Sequence, residues 1–263
     1  MAAPFSTYVA FPDAGTAAEW EVCVLLKRAP GDEMRRDLQF VVNQFWRLTN
    51  RGAFLVSGAH PSRVSLDASN RDTGEADSIC WDVRTVNVDE RFIQVLRNVL
   101  VGFSFTTWPV TELRVNSHRN DVLRPLQALP PLADDWALNA GRYPPAYAPV
   151  GFPIASRLRD PAAPRRYEIE YAEVLTQEQS EEILRALVAW GEVGLGGFAE
   201  TETELTSGSC ALLNVSPQKF DETTIELTVD CFGGGTPARN ALLNLLCYTH
   251  QTVARIRRLS EEQ

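Results

Sequence analysis

The chain has 263 residues, of which 44% are hydrophobic and 22% charged, and its formal net charge is −9. These values are typical of a folded globular protein and exclude a disordered or fibrous chain. No apolar run approaches the roughly 18 residues of a membrane-spanning helix, and no secretory signal is visible. The acidic balance argues against a general nucleic-acid binder.

Strands and helices alternate along the first part of the chain. Residues 20–26 form a β-rich apolar run, and residues 79–86 and 110–115 predict two further strands. Between the first two strands, apolar residues recur at spacings that place them on one helical face. They are Leu38, Val41, Val42, Phe45, Trp46 and Leu48. A second helix is predicted around Val95, Leu96, Val99 and Leu100.

Residues 116–166 hold nine of the sixteen prolines and are predicted to be an irregular connector. Beyond it the first pattern recurs at an offset of about 144 to 146 residues. Trp46 corresponds to Trp190 and Asn98 to Asn244. Strands are predicted at 167–174 and 225–232, with helices around Leu187 and Leu242. We therefore expect an internal duplication, with one repeat at 1–115 and the other at 167–263.

The order of elements in each half predicts an α+β fold. It resembles the ferredoxin-like split βαβ unit. That resemblance implies two tandem ferredoxin-like repeats, each with its helices packed on one face of a mainly antiparallel sheet. It concerns architecture alone and implies no activity.

The excess negative charge belongs to the second repeat. Residues 1–115 have a balance of −2, the connector +3, and residues 167–263 a balance of −10. Alternation in a strand predicts that acidic side chains share faces at 168–170, 200–204 and 226–230. The candidate partner-binding residues are Glu168, Glu170, Glu200, Glu202, Glu204, Glu226 and Asp230. Like charges that face each other across strands cost stability, which favours a compensating partner.

A solvated sheet face explains the same pattern, because a sheet that is bare on one side needs polar residues there. No compact carboxylate loop of the kind that binds calcium is present, so no metal is expected. No cofactor is expected either. The glycine-rich turn at 231–237 lacks the spacing of phosphate-binding loops. Thr236 as the helix N-cap and Pro237 as the first helical residue account for it.

The five cysteines are odd in number and have no CxxC spacing, which argues against a disulfide framework. Cys23, Cys80 and Cys231 lie in apolar runs, where a free cysteine behaves as a small buried hydrophobe. The cytoplasm is therefore the expected compartment.

Two short motifs resemble those of the two-histidine phosphoesterases, which also have duplicated α+β halves. They are His60-Pro61-Ser62 and His250-Gln251-Thr252. The resemblance implies an enzyme whose two histidines act together. Pro61 is poorly suited to a central strand, and the two histidines lie at different points of the repeat.

The sequence thus favours a non-catalytic binding protein, an inhibitor of the immunity type. Its acidic second repeat would cover a basic surface on a protein partner such as a toxin or nuclease. Direct nucleic-acid or membrane binding is not expected. The alternative is an enzyme or small-molecule binder with its site in the cleft between the repeats.

Overall fold

A computed structural model of the chain describes residues 6–9, 17–27, 29–55, 59–60, 63–72, 77–89, 92–106, 110–117, 150–158, 163–199 and 202–263. These residues form two five-stranded sheets, a two-stranded sheet and five helices. The described part of the chain is therefore a mixed α+β structure with mainly antiparallel sheets, which confirms the predicted α+β class.

The first sheet is built from the N-terminal part of the chain. Its elements are β1 (Ser6–Val9), β2 (Ala17–Leu26), α1 (Asp32–Asn50), β3 (Ser65–Arg71), β4 (Ser78–Val86), α2 (Phe92–Thr106) and β5 (Val110–Ser117). The strand order is β1-β5-β2-β4-β3. The pairs among β5, β2, β4 and β3 are antiparallel, and β1 joins β5 in parallel.

The second sheet is built from the C-terminal part. Its strands are β6 (Ile154–Ser156), β7 (Arg165–Tyr171), β9 (Ser216–Lys219), β10 (Thr224–Val229) and β12 (Ile256–Glu262). The other elements are α3 (Gln177–Val193), α4 (Glu202–Ser207), β8 (Leu212–Leu213), β11 (Cys231–Phe232) and α5 (Gly235–Thr252). The order β6-β12-β7-β10-β9 matches the first sheet strand for strand, and β6 again joins the edge in parallel.

Local sequence accounts for these elements. In β2 the side chains of Trp20, Val22 and Val24 are buried, because alternate residues of a strand face the core. In α1 the buried residues recur with helical period. The helix α3 begins at a capping box, in which Thr176 Oγ1 accepts from the Gln179 backbone N–H and the Gln179 side chain accepts from the Thr176 N–H.

One continuous cluster of buried apolar side chains joins the two halves. It contains Phe45 and Phe92 from the first half and Trp190 and Phe232 from the second. The helices α1 and α3 pack against each other across the boundary. The core of the described chain therefore belongs to both halves at once.

Two buried asparagines bind the halves to each other in a reciprocal way. Asn98 Nδ2, on α2, donates to the carbonyl oxygens of Gly197 at 3.3 Å and Ala199 at 3.2 Å. Asn244 Nδ2, on α5, donates to the carbonyl oxygen of Ala53 at 3.1 Å. Each asparagine lies on the later long helix of its own half, and each acceptor lies in the turn that follows the first helix of the other half.

Glycines allow these turns to approach the partner helices. A Cβ on Gly102 would lie 3.9 Å from the Cα of Gly196, so the two backbones are in close contact. At the corresponding place in the other half, Gly52 has a φ of +79°, and a Cβ on it would lie 3.3 Å from the Cβ of Tyr248. Each of these two contacts joins a residue of the first half to a residue of the second.

Several sequence expectations differ from the structure. The segment 200–205 was expected to be a strand, but Glu202–Ser207 is the helix α4, so that prediction is wrong. The strand expected at 225–232 is interrupted at Asp230, whose N–H donates to the Leu213 carbonyl at 3.1 Å. The chain there leaves the large sheet, and β11 pairs with β8.

The connector is partly regular. Its end supplies the edge strand β6 and the first residues of β7, because β6 finds an unpaired edge on β12. Residues 118–149 lie outside the described residues. The boundaries 1–115, 116–166 and 167–263 stay a prediction.

We expect Asn98→Ala and Asn244→Ala each to lower the free energy of unfolding by about 1–3 kcal/mol, since each leaves a buried carbonyl without its donor. Chemical denaturation measures the change. Asn43→Ala is the matched control, because Asn43 is exposed on α1, and it should stay within about 0.5 kcal/mol of the parent. Equal stability of all four proteins would contradict the role given to the two asparagines.

Candidate functional site

Three of the candidate glutamates lie on the outer face of the second sheet. Glu168 and Glu170 alternate with buried residues of β7, and Glu226 of β10 stands directly opposite Glu168. Glu226 is only 8% exposed. We call these three residues the glutamate face.

Arginines of the same chain neutralise much of the glutamate face. Arg166 forms an ion pair with Glu226, and Gln218 Nε2 donates to Glu226 Oε1 at 3.2 Å. Arg257 lies 3.1 Å from the carboxylate of Glu170. Within the described part of the chain, Glu168 has no ion pair or side-chain hydrogen bond. It is therefore the member of the face whose charge is uncompensated.

The other candidate residues lie elsewhere. Glu200 is outside the described residues, and Glu202 and Glu204 belong to α4 rather than to a sheet. Asp230 follows β10 and accepts from Asn214 Nδ2 at 2.9 Å. The structure thus brings together three of the seven candidate residues and separates Glu204 and Asp230 from them.

One acidic residue of the second half contributes nothing to its surface. Glu261 is fully buried and accepts two hydrogen bonds from Arg239, at 2.9 and 2.8 Å. Tyr167 lies nearby, and burial raises the pKa of its hydroxyl to about 12. This buried ion pair could not be predicted from the sequence, because Glu261 and Glu262 are consecutive and only the strand register shows which one points inward.

The outer face of the first sheet carries charges of both signs. Arg84 pairs with Glu19 at 2.7 Å, and Arg71 pairs with Glu21 at 2.7 Å and with Asp82 at 3.4 Å. A depression of about 430 Å³ lies on this face. Its lining includes Glu19, Asp67, Ser69, Arg71, Asp82 and Arg84.

A disulfide joins Cys23 and Cys80 on this same outer face, with an S–S distance of 2.09 Å. The expectation that both were free was wrong. The two residues are 57 positions apart in sequence, and only the β2–β4 register places them opposite each other. Of the remaining cysteines, Cys210 and Cys247 are buried free thiols, and burial raises the pKa of each to about 11.

The glycine-rich turn before α5 is explained by packing. A Cβ on Gly233 would lie 2.1 Å from the Ser209 carbonyl oxygen, so only glycine fits against that backbone. The helix begins at Gly235, with Gly234 at the N-cap and no side-chain cap. The predicted cap at Thr236 was therefore wrong.

The two histidines have different surroundings. His60 is exposed in an irregular segment. His250 lies at the end of α5, where its Nδ1 accepts from the Ile256 backbone N–H at 2.9 Å and its ring lies beside Phe152. This hydrogen bond links the helix to the start of β12, so His250 has a structural role.

Among the described residues, no group of three or more His, Cys, Asp or Glu side chains is arranged to hold a metal ion. None of the helices described has the length and apolar character needed to cross a membrane.

No protein-family model and no curated protein matches the chain. Solved structures give weak similarities. A mutant of the ferredoxin protease FusC, in complex with Arabidopsis ferredoxin, is 9% identical with a TM-score of 0.20, over 91% of this chain and 34% of that one. This chain thus spans about a third of the protease.

Two further structures are similar at the same level. The formyltransferase/hydrolase complex of Methylorubrum extorquens, with methylofuran, is 8% identical with a TM-score of 0.21, over 98% of this chain and 90% of that one. A protease from Helicobacter pylori is 8% identical with a TM-score of 0.19, over 95% and 80%. At such scores the similarities carry no argument about this protein.

Burial, and secondly the Arg255 guanidinium, lower the pKa of His250 below its usual 6.5. The unfolded chain therefore binds a proton there at a higher pH than the folded chain does. We expect the contribution of His250 to stability to be complete above pH 6.5 and to fall as the pH drops towards the folded-state pKa.

The measurement is urea denaturation of the parent and of His250→Asn between pH 7 and 5. Asparagine keeps an acceptor for the Ile256 N–H but does not titrate, so its stability should fall less over this range. Parallel curves for the two proteins would show that His250 titrates alike in both states.

Proposed function

We propose that the chain consists of two ferredoxin-like repeats, at 1–115 and 167–263, joined by the connector 116–166. Three observations support this architecture. The two sheets share one strand order. The reciprocal bonds of Asn98 and Asn244 relate the halves to each other. Helices of the two halves pack together, as expected if each repeat has its helices on one face of its sheet.

We propose further that the protein acts by binding another protein, as an inhibitor of the immunity type, without catalysis. The observation that carries this proposal is Glu168. It stands opposite Glu226, and two carboxylates in directly opposed positions repel each other. Arg166 compensates Glu226 but leaves Glu168 without a counter-charge. A basic side chain of a partner, placed over Glu168, would relieve that repulsion.

The glutamate face fits a partner that is basic and flat. The strands β7, β10 and β12 form a continuous surface on which Glu168 is flanked by polar neighbours, Ser260 on one side and Glu226 on the other. Charge complementarity of this kind speeds encounter and selects partners. A toxin or nuclease with a basic active site has the required chemistry. We also propose Glu202 and Glu204 on α4, together with Glu200 and Asp230, as partner-binding residues.

We expect Glu168→Lys to weaken capture of the partner at least 10-fold, because a lysine would oppose the basic surface and pair with Glu226 instead. Affinity capture from the cells that produce the protein, repeated over a salt series, measures this. Captured proteins are identified by mass spectrometry, and the retained one should be basic.

Glu173→Lys is the matched control. It makes the same change of charge at an exposed position in the segment between β7 and α3, away from the glutamate face. Capture that is equally strong for both variants, or that is insensitive to salt, would contradict the proposed surface.

The cytoplasmic compartment is also a proposal. Composition supports it, whereas the Cys23–Cys80 disulfide counts against it, because such bonds are rare in the cytosol. In a reducing cytosol the pair should be open. Acid-quenched cells treated with a thiol-alkylating reagent should then show five modified cysteines in this protein. Three modified cysteines would place it in an oxidising compartment.

A further inference from the structure

The disulfide lies at the outer surface of its sheet rather than in the core. Cys23 faces the same side as Glu19 and Glu21, while the intervening residues of β2 are buried. Cys23 is 8% exposed and Cys80 is 3% exposed. Cys23 is therefore the slightly more exposed residue of a pair that is largely buried.

The second sheet shows that the fold does not need a covalent link at this place. Cys23 and Cys80 occupy opposed positions of β2 and β4, and the corresponding positions of β7 and β10 hold Glu168 and Glu226. The neighbours in the next strand correspond as well, with Arg114 opposite Cys23 and Ser260 opposite Glu168. The same strand order is thus built with no disulfide in the second sheet.

Charged side chains surround the disulfide. Arg71 stands opposite Cys80 in the β3–β4 register, and a nearby guanidinium stabilises a thiolate. Glu21 pairs through Oε2 with Arg71, and its Oε1 lies 3.5 Å from Cys23 Sγ. A carboxylate next to the sulfur under attack repels an anionic thiol and attracts one that carries a positive charge.

The outer face as a whole has the same bias. Among the described strand residues of this face, carboxylates outnumber guanidinium groups. The carboxylates are Glu19, Glu21, Asp67, Asp82 and Glu112, and the guanidinium groups are those of Arg71, Arg84 and Arg114. Asp67 and Asp82 line the 430 Å³ depression, and so does Arg71, which stands opposite Cys80 in the β3–β4 register.

We propose that Cys23–Cys80 is a site of thiol–disulfide exchange with a small aminothiol. The thiolate of the aminothiol attacks Cys23 Sγ and forms a new S–S bond there. The bond to Cys80 breaks, and Cys80 Sγ leaves as a thiolate beside Arg71. The proton that the aminothiol released ends on Cys80, so the step needs no oxidant or reductant. The ammonium group of the aminothiol pairs with Glu21.

The test uses the full folded chain without oxygen and three thiols of different charge. These are cysteamine, which is cationic, 2-mercaptoethanol, which is neutral, and mercaptoacetate, which is anionic. A reduced thiol reacts with a disulfide and not with another thiol, so the free cysteines of the protein do not consume the three reagents. We expect the rate constant per thiolate to be about 10-fold higher for cysteamine than for mercaptoacetate at low salt, with the ratio shrinking as salt is added.

Two variants and one mapping experiment sharpen the test. Glu21→Gln should reduce the charge preference, whereas Glu173→Gln, at an exposed position between β7 and α3, should leave it unchanged. Peptide mass spectrometry should place the cysteamine adduct on Cys23. The proposal is overturned if the folded protein exchanges with none of the thiols, if the wild-type rates do not follow charge, or if the adduct forms on Cys80.

Discussion

The reciprocal hydrogen bonds of Asn98 and Asn244 are the constraint on which the rest of this structure depends. Each asparagine places a polar side chain in the shared apolar core, where an amide without a hydrogen bond would cost folding free energy. The amide is satisfied only if the turn of the other half stands at the right distance. Apolar packing alone tolerates small sliding of helices, whereas these bonds fix the position of one half on the other. The inner faces of both sheets are then committed to the core, and their outer faces are left for solvent and partners.

The outer faces of the two sheets differ in which of their charged residues are paired. On the second sheet Glu226 and Glu170 are neutralised by arginines of the same face, and Glu168 is left over. On the first sheet a disulfide occupies the corresponding place, between strands whose charged residues form pairs. The balance of −10 for residues 167–263 already counts Arg239, so the buried Glu261–Arg239 pair leaves it unchanged, whereas Arg166, which lies outside that range, compensates Glu226.

Periodicity predicted the strands and long helices, because residues such as Val22 and Phe45 obey the rules for one buried face. It failed where a contact distant in sequence decides the outcome. The Glu/Thr alternation before Leu205 has the period of a strand, yet Leu205 packs with Val101 and Cys210, and Glu202–Ser207 is helical. Pairing of Cys23 with Cys80 and of Arg257 with Glu170 depends on strand order and register, which composition and spacing do not contain.

The reciprocity of the two asparagines has a consequence for how this protein can vary. In a homodimer with a two-fold axis, any substitution appears on both sides of the interface at once. Here the two sides are encoded separately, so a change can be accepted on one side while the other holds the assembly together. Equivalent strands of the two sheets carry a cysteine pair in the first and a glutamate pair in the second. A single chain that holds two sheets of one strand order can therefore carry different side chains on their two outer faces.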